Sequence, residues 1–441
     1  MTEMSKAATK SNLPVVVIVG GGFGGLAAAR SLKHAPVRII LIDRSNHHLF
    51  QPLLYQVATS GLAAADIAQP IRSILRDQTN TEVFLDEVKK IDTANRLVVT
   101  GDLTFRYDYL VLACGARHSY FGKDEWEQYA PGLKTLRDAI DIRHRILAAF
   151  EIAEKASDPE ERKQATTFIV VGGGPTGVEM AGAISELARF TLRKDFRHIN
   201  PADARVILVE AAPRVLPPFD PSLSEKALEQ LKTLQVDVRL NAKVTKVTED
   251  YVEVDGVPIP TRTVIWAAGN MASPLGKQLG VELDRQGRVV VNPDLSIPNH
   301  PEVFVAGDMA FAKRANGAPV PGVSPAALQG GRHVARNIIR LLKGKSTEPF
   351  RYLDKGSMAT IGRNAAVADL HVFKFGGLLA WLAWVFVHLY FLVGFKNRVR
   401  VFLSWIFSYF TYSKGSRLIQ VQPKEGALLH NPPASPLPPS K

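Results

Sequence analysis

Gly20-Gly21-Gly22-Phe23-Gly24-Gly25 follows the β-branched run Val15-Val16-Val17-Ile18-Val19 and has the spacing G-x-G-x-x-G. The same spacing recurs at Gly172-Gly173-Gly174-Pro175-Thr176-Gly177, after Phe168-Ile169-Val170-Val171. Each turn leads into a stretch of helical composition, which is the order of a dinucleotide-binding fingerprint. The first Gly makes the tight turn, the second lets the backbone approach a pyrophosphate, and the third allows close packing of helix and strand. The chain is therefore predicted to hold two dinucleotides in two Rossmann-like α/β domains.

An acidic residue ends the next apolar strand of each unit. Asp43 follows Leu41-Ile42, and Glu210 follows Val206-Ile207-Leu208-Val209. A carboxylate at this place accepts hydrogen bonds from the ribose hydroxyls of adenosine. Glu210 lies further from its turn than Asp43 does, and we interpret residues 193–197 as an insertion between them. Because Glu210 would repel a 2′-phosphate, NADH is favoured over NADPH, although the nearby Arg214 leaves the strictness of that choice open.

Composition sets limits on the class of protein. The 441 residues are 46% hydrophobic, which is enough for two or three folded domains. The net charge of +12 indicates an acidic partner. Because the basic residues cluster only near the C-terminus, an anionic lipid surface is favoured over nucleic acid.

The single cysteine, Cys114, excludes several chemistries. Without a partner it forms no intrachain disulfide, no redox-active cysteine pair and no cysteine zinc site, so disulfide reductases are excluded. Its apolar neighbours indicate a small buried residue at a strand end. The first apolar run is the nucleotide-binding strand itself, so we predict no secretory signal. Met1–Asn12 is predicted to be a polar leader, and the catalytic domains are predicted to lie in the cytosol.

The motifs divide the chain into regions. The strand Glu302-Val303-Phe304-Val305-Ala306 ends in Gly307-Asp308, and it is predicted to return the chain to the first domain. The resulting prediction is a discontinuous first domain at 13–120 and 298–345, a helical connection at 121–164, a second domain at 165–297, a C-terminal α-helical attachment region at 346–421 with helices at about 376–394 and 395–412, and a disordered tail at 422–441.

This order of motifs resembles the two-dinucleotide flavoproteins of the disulfide-reductase superfamily, and specifically the type II NADH:quinone oxidoreductases. The most specific segments are 46–59, 172–179, 306–308 and 326–329. The resemblance implies a respiratory-chain enzyme in which hydride passes from NADH to FAD and two electrons then pass to a membrane quinone. It implies that FAD is bound by Gly20, Gly22, Gly25, Asp43, Gly115 and Asp308, and that NADH is bound by Gly172, Gly174, Gly177 and Glu210.

The resemblance also selects three candidate catalytic residues. Glu179 matches a family residue near the flavin and nicotinamide, where a carboxylate could relay protons to the quinone. An acid in the first turn of a helix is also common for structural reasons, because it interacts favourably with the helix dipole. Gln329 matches the second Gln of the family's A-Q-x-x-x-Q helix, and Pro325 replaces the first. Lys355 matches a further family position near the flavin.

The C-terminal region predicts a membrane association. Residues 376–395 lack Asp, Glu, Lys and Arg, and as a helix they would measure about 30 Å. Residues 395–411 then place aromatic and aliphatic side chains on one helical face, which is typical of an interfacial helix. A single span would put the nucleotide domains outside the cytosol, so a monotopic attachment to the cytoplasmic face of the inner membrane is favoured. Within the apolar stretch only His388 and Tyr390 titrate, which indicates electron transfer without proton pumping.

Two alternatives stay open at this point. A soluble NADH-dependent ferredoxin or rubredoxin reductase would share both nucleotide domains but would not need residues 376–412. A membrane-tethered NADH sensor would reduce its flavin and turn over slowly. The sequence leaves open which quinone is used and whether the chain forms a homodimer.

Overall fold

The computed structural model describes residues 13–412 and 414–419. The predicted polar leader at Met1–Asn12 and the predicted tail at 422–441 lie outside the described residues. The first domain is built on a six-stranded sheet that follows directly from the apolar runs of the sequence. In spatial order its strands are Ser296–Ile297, His300–Val305, Tyr109–Leu112, Val15–Val19, Arg38–Asp43 and Thr81–Leu85. Only the first pair is antiparallel.

The central strand of this sheet is buried on both faces. Val16, Val17 and Ile18 are all 0% exposed, and alternate side chains enter two different hydrophobic clusters. On one face the sheet packs against the helices Phe23–Ser31 and Ser324–Leu342. Parallel strands covered on both faces read as continuous apolar runs, which explains why Val15–Val19 shows no polar alternation.

The second domain repeats this plan with four parallel strands. Their order is Val236–Arg239, Arg205–Val209, Thr167–Val171 and Thr263–Trp266. An antiparallel sheet of Val244–Val247, Tyr251–Val254 and Val257–Pro260 adjoins it. The helices of this part of the chain are Leu136–Lys155, Pro159–Ala165, Pro175–Glu186 and Pro221–Thr233. The strands Ala116–His118 and Asn270–Ala272 pair between the two domains.

Shorter elements complete both domains. The small sheets pair His47–Leu49 with Ala68–Pro70, Val289–Val290 with Ala310–Phe311, and Lys90–Asp92 with Leu97–Val99 and Thr104–Arg106. The short helices are Leu54–Ala58, Ala64–Ile67 and Ile71–Leu75.

The C-terminal region differs in part from the all-helical prediction. It begins with an antiparallel sheet of Ser357–Gly362, Ala365–Asp369 and Lys374–Gly376, which the sequence analysis missed. The sequence signal that could have revealed this sheet is Asn364, which lies in the turn between its first two strands. Asn364 adopts a φ of 60°, and Asn tolerates that conformation better than most residues. Two helices, Leu378–Phe391 and Phe395–Thr411, follow this sheet.

The first C-terminal helix is shorter than the charge-free stretch suggested. It has 14 residues, which corresponds to about 21 Å. Gly377 and Gly394 bracket it with φ angles of 77° and 90°, which a continuing helix does not adopt. Within the part of the chain that the structure describes, no helix combines the length and apolarity needed to cross a membrane.

Candidate active site

The first glycine turn has the geometry of a pyrophosphate cradle. Gly20 has a φ of 102°, and a Cβ there would lie 2.5 Å from the carbonyl oxygen of Ala113. A Cβ at Gly25 would overlap the carbonyl oxygen of Gly20, whereas a Cβ at Gly22 would meet no atom within 4 Å. The first and third glycines are thus required by the fold, and the middle one faces open space. This division of roles fits the turn to the pyrophosphate of a dinucleotide.

Asp43 holds this turn in place. Its two carboxylate oxygens accept hydrogen bonds from the backbone N–H groups of Gly21 and Ser45, both at 2.6 Å. Gly115 and Asp308 lie just beyond the strands Tyr109–Leu112 and His300–Val305. The first of these strands pairs with Val15–Val19, and the second pairs with Tyr109–Leu112. Because the carboxyl ends of parallel strands meet at one edge, these residues share the edge that carries the glycine turn.

The second glycine turn repeats the arrangement. Gly172 has a φ of 106°, a Cβ at Gly177 would overlap the carbonyl oxygen of Gly172, and a Cβ at Gly174 would meet nothing within 4 Å. The Glu210 carboxylate accepts hydrogen bonds from the backbone N–H groups of Gly173 and, at 2.7 Å, Ala212. Its position at the strand end is that of a ribose-binding acid.

The sequence left the choice between NADH and NADPH open because of Arg214. Its Nη2 donates a hydrogen bond to the carbonyl oxygen of Pro217 at 2.8 Å. A single guanidinium N–H is thus engaged with a neighbouring backbone group, and the other N–H donors keep their capacity to bind a phosphate. The Glu210 carboxylate contacts the second turn through the backbone N–H of Gly173.

Glu179 lines a cavity of about 120 Å³, called here the Glu179 cavity. The cavity lies where the helices Leu54–Ala58 and Pro175–Glu186 meet the C-terminal sheet and helices. A Cβ at Gly182 would overlap the carbonyl oxygen of Ile361, so this glycine permits the close approach of helix and sheet. The lining residues are mostly aromatic or polar: Tyr55, Gln56, Thr59, Gly61, Glu179, Ala183, Glu186, Thr191, Thr360, Ile361, Gly362, Arg363, Trp381, Trp384, Val385, Trp405, Ser408, Tyr409, Tyr412 and Lys414.

Burial shifts the pKa of the Glu179 side chain. It raises the pKa of the Glu179 carboxyl well above its ordinary value of 4.5, and a hydrogen bond with the Thr360 backbone opposes the rise. Burial likewise raises the pKa of the nearby Tyr55 phenol, and the charge of Glu179 adds to that effect. The raised pKa favours a neutral carboxyl, which can donate a proton to a reacting oxygen.

Charged residues that the sequence analysis missed also line the cavity. The backbone N–H of Arg363 donates to Glu186 Oε1 at 2.6 Å, and the Arg363 guanidinium carbon lies 3.5 Å from the ring centroid of Tyr412. Lys414 Nζ donates to the carbonyl oxygen of Ala183 at 3.4 Å, and burial lowers the pKa of its ammonium. Glu186 follows Glu179 by two helical turns, a spacing that could have identified it.

The structure does not bring Gln329 and Lys355 to the Glu179 cavity. The Gln329 side chain exchanges two hydrogen bonds with the backbone of Leu353, both at 2.9 Å. Lys355 is exposed, and its Nζ lies 5.7 Å from the ring centroid of Phe391. Their predicted roles toward quinone and flavin therefore stay predictions.

The two C-terminal helices expose an apolar surface, called here the apolar face. Val401, Trp384 and Ala380 are buried against the body of the protein, and the opposite sides of both helices point outward. The exposed side chains of the apolar face are Leu378, Leu379, Leu382, Phe386, Tyr390, Phe391, Phe395, Val399, Phe402, Leu403, Ile406, Phe407 and Phe410. Exposed apolar side chains clustered on two successive helices are typical of an interaction site.

Comparisons with known proteins agree with this geometry. Residues 14–331 match the family of pyridine nucleotide-disulphide oxidoreductases, which makes the protein a two-dinucleotide oxidoreductase, and residues 355–412 match the NDH2 C-terminal domain. The chain belongs to the type II NADH:quinone oxidoreductases. It is 49% identical to Ndh of Mycobacterium tuberculosis over 92% of this chain and 90% of that protein. It is 48% identical to NdhA of the same organism over 92% of this chain and 89% of that protein.

A solved structure shows the same fold. NDH2 from Plasmodium falciparum, in complex with NADH, has a TM-score of 0.84 at 20% identity and covers 92% of this chain and 99% of its own. The predicted fold class and family are confirmed, and so are FAD and NADH as the two dinucleotides. The match at 355–412 disfavours the ferredoxin or rubredoxin reductase alternative, which would need no such domain.

Proposed function

We propose that the protein oxidises NADH and reduces a membrane quinone, and that the quinone is reduced in the Glu179 cavity. The observation that carries this proposal is the place of the cavity between the two nucleotide domains and the C-terminal helices that bear the apolar face. A quinone head group is aromatic and carries carbonyl oxygens, so it suits a cavity lined by tryptophan and tyrosine around a few polar groups.

The chain supplies binding, orientation and protons. Bound FAD supplies the chemistry that couples a hydride donor to a two-electron acceptor. The first glycine turn with Asp43, Gly115 and Asp308 would hold FAD, and the second turn with Glu210 would hold NADH. We expect the Glu179 carboxyl to give a proton to a quinone oxygen as charge develops on it, and the raised pKa of this carboxyl supports that role.

The apolar face supports attachment to the membrane that contains the quinone. Phe386, Phe395 and Phe407 are 71%, 82% and 60% exposed, and fully burying one such side chain stabilises by about 1.5–3 kcal/mol. Lys396, Arg398 and Arg400 on the second helix add attraction to anionic head groups. We propose a monotopic attachment at the cytoplasmic face of the inner membrane, where NADH is available.

One experiment tests the proposed function directly. The flavin absorbance of the purified holoenzyme should be bleached by NADH under anaerobic conditions and restored by a short-chain quinone. Repeated turnover at a steady rate would support the enzyme, and a single slow turnover would support the sensor alternative. Sedimentation of the same preparation decides whether the chain forms a homodimer.

The sidedness has its own test. In inside-out vesicles, NADH added from outside should be oxidised without permeabilisation, because the nucleotide domains would face the added substrate. Oxidation only after permeabilisation would contradict the cytoplasmic placement.

A further inference from the structure

The turn between Tyr120 and Lys123 carries a phenylalanine where the backbone favours a smaller residue. Phe121 and Gly122 have φ angles of 54° and 86°, and the backbone N–H of Lys123 donates to the carbonyl oxygen of Tyr120 at 3.0 Å. Two positive φ angles inside such a hydrogen bond are typical of a type I′ turn, whose first central position prefers Asn, Asp or Gly. A bulky side chain in this left-handed conformation is strained, and strain of this kind concentrates at functional sites.

Packing within the protein does not account for this phenylalanine. Phe121 is 71% exposed. Its ring lies beside Gly269, where a Cβ would lie 2.8 Å from Phe121 Cζ, and the ring centroid is 6.3 Å from that of Trp266. Trp266 is itself only 2% exposed, and Tyr120 and Trp126 already pack against it. Most of the Phe121 ring is therefore available to a partner from outside the protein.

Phe121 lies at the sheet edge that carries the second glycine turn. The strand Thr263–Trp266 pairs in parallel with Thr167–Val171, so the segments that follow these two strands share one edge. A Cβ at the first glycine of the second turn would lie 2.8 Å from the backbone nitrogen of Ala268. The next residue is Gly269, against which the Phe121 ring lies. Two successive residues thus separate the ring from the turn.

The order of the sheet indicates which half of NADH would reach Phe121. Glu210, the acid expected at the adenosine ribose, follows the strand Arg205–Val209, which lies on one side of Thr167–Val171. The strand Thr263–Trp266 lies on the other side. NADH with its adenosine at Glu210 and its pyrophosphate at the turn would extend its nicotinamide end toward Phe121.

Phe121 also lies where the two nucleotide domains join. The strand Ala116–His118 ends three positions before it and pairs with Asn270–Ala272, which begins directly after Gly269. Hydride transfer requires the nicotinamide of NADH in one domain to meet the flavin in the other. This junction is therefore where the nicotinamide end is expected.

We infer that the Phe121 ring packs against the nicotinamide end of bound NADH, which makes Phe121 a substrate-positioning residue. This inference rests on the proposed placement of NADH at the second glycine turn. The nicotinamide ring is planar and aromatic, so an exposed phenyl ring offers it a stacked or edge contact. The strained turn holds the phenyl ring at the sheet edge before NADH binds.

The test removes the ring with a residue that suits the turn. In the full-length holoenzyme, Phe121→Asn should not lower the melting temperature, because Asn is favoured at this turn position. We expect the Kd for NAD⁺, measured by isothermal titration calorimetry, to rise about 3- to 10-fold, the range of one aromatic pair. The Kd for ADP-ribose, which lacks the nicotinamide, should stay within about twofold. Phe121→Tyr keeps the ring and should bind both ligands like the wild type.

Phe373→Asn is the matched control. Phe373 is 69% exposed, much like Phe121, but it lies in the loop between the strands Ala365–Asp369 and Lys374–Gly376 of the C-terminal sheet. Its replacement should leave the Kd for NAD⁺ and the Kd for ADP-ribose unchanged.

Four outcomes separate the possibilities. An unchanged Kd for NAD⁺ in a folded Phe121→Asn variant would overturn the inference and leave the proposed function standing. Equal weakening of NAD⁺ and ADP-ribose would overturn the assignment to the nicotinamide end. A lower melting temperature with unchanged affinities would show that the ring only covers Trp266 and Gly269. A wild-type flavin that NADH does not bleach would overturn the proposed function itself.

Discussion

Replacing Glu179 by Gln should separate the two half-reactions of this enzyme. The amide has nearly the shape of a protonated carboxyl, so Glu179→Gln keeps the packing of the cavity but cannot release a proton. General acid catalysis by a positioned side chain contributes about 10²- to 10⁴-fold. We therefore expect flavin reoxidation by quinone to slow by about 100-fold, and flavin reduction by NADH to stay within about twofold.

The same variant makes a prediction about stability. Burial raises the pKa of Glu179 in the folded protein above the ordinary value of 4.5. At pH values between the ordinary pKa and the raised pKa of Glu179, the folded state binds more protons than the unfolded chain. The stability of the wild type therefore falls as pH rises. The slope is about 1.4 kcal/mol per pH unit for one group. The variant lacks this dependence, so its stability relative to the wild type should grow with pH above 4.5 and level off above the raised pKa.

Stopped-flow absorbance at the flavin band measures each half-reaction, and thermal melts of the holoenzyme from pH 5 to 8 measure the stability. Glu186→Gln is the matched control, since Glu186 lines the same cavity but accepts a backbone hydrogen bond from Arg363. Its quinone rate should stay within a few-fold of the wild type. Equal slowing of both half-reactions by Glu179→Gln, or an unchanged quinone rate, would refute the proton-donor role.

Three further predictions concern the other sites. Gly174→Ala should leave the melting temperature unchanged and raise the KM for NADH at least tenfold. The added Cβ meets no protein atom, but it occupies the space of the pyrophosphate. An unchanged KM would contradict that placement. Glu210→Ala should raise the ratio of NADPH to NADH turnover several-fold in steady-state assays, since it removes the charge that repels a 2′-phosphate. An unchanged ratio would show that other residues select NADH over NADPH. The double variant Phe386→Ser, Phe407→Ser should bind anionic vesicles at least tenfold more weakly in a sedimentation assay, while its ferricyanide reduction continues. Retained binding would show that the apolar face is not the lipid contact.

The nucleotide domains were predictable because their signals are local. A strand, a glycine turn and a terminal acid occupy one short segment, so the sequence shows all parts of each unit together. The structure adds that Asp43 and Glu210 also accept hydrogen bonds from the turn itself. That second role requires the strand end and the turn to lie side by side, which the spacing predicted.

The candidate catalytic residues were predictable only in part. Glu179 follows directly from its turn, and it lines the cavity. Gln329 has both polar atoms of its amide in hydrogen bonds to Leu353, a residue of a separate segment whose approach no local pattern reveals. The sheet at 357–376 was missed because its strands are short and its turn is marked by a single Asn.

By itself the sequence predicted the two glycine turns with their strand-end acids and the order of the domains along the chain, and it determined the apolar character of the C-terminus. These properties depend on neighbouring residues and on periodicity. Only the tertiary structure decided which residues meet in the Glu179 cavity, because Tyr55, Glu179, Thr360, Trp384 and Lys414 come from five distant segments. It also decided the direction in which the pKa of Glu179 shifts, since that shift depends on burial among atoms that the chain order does not place together.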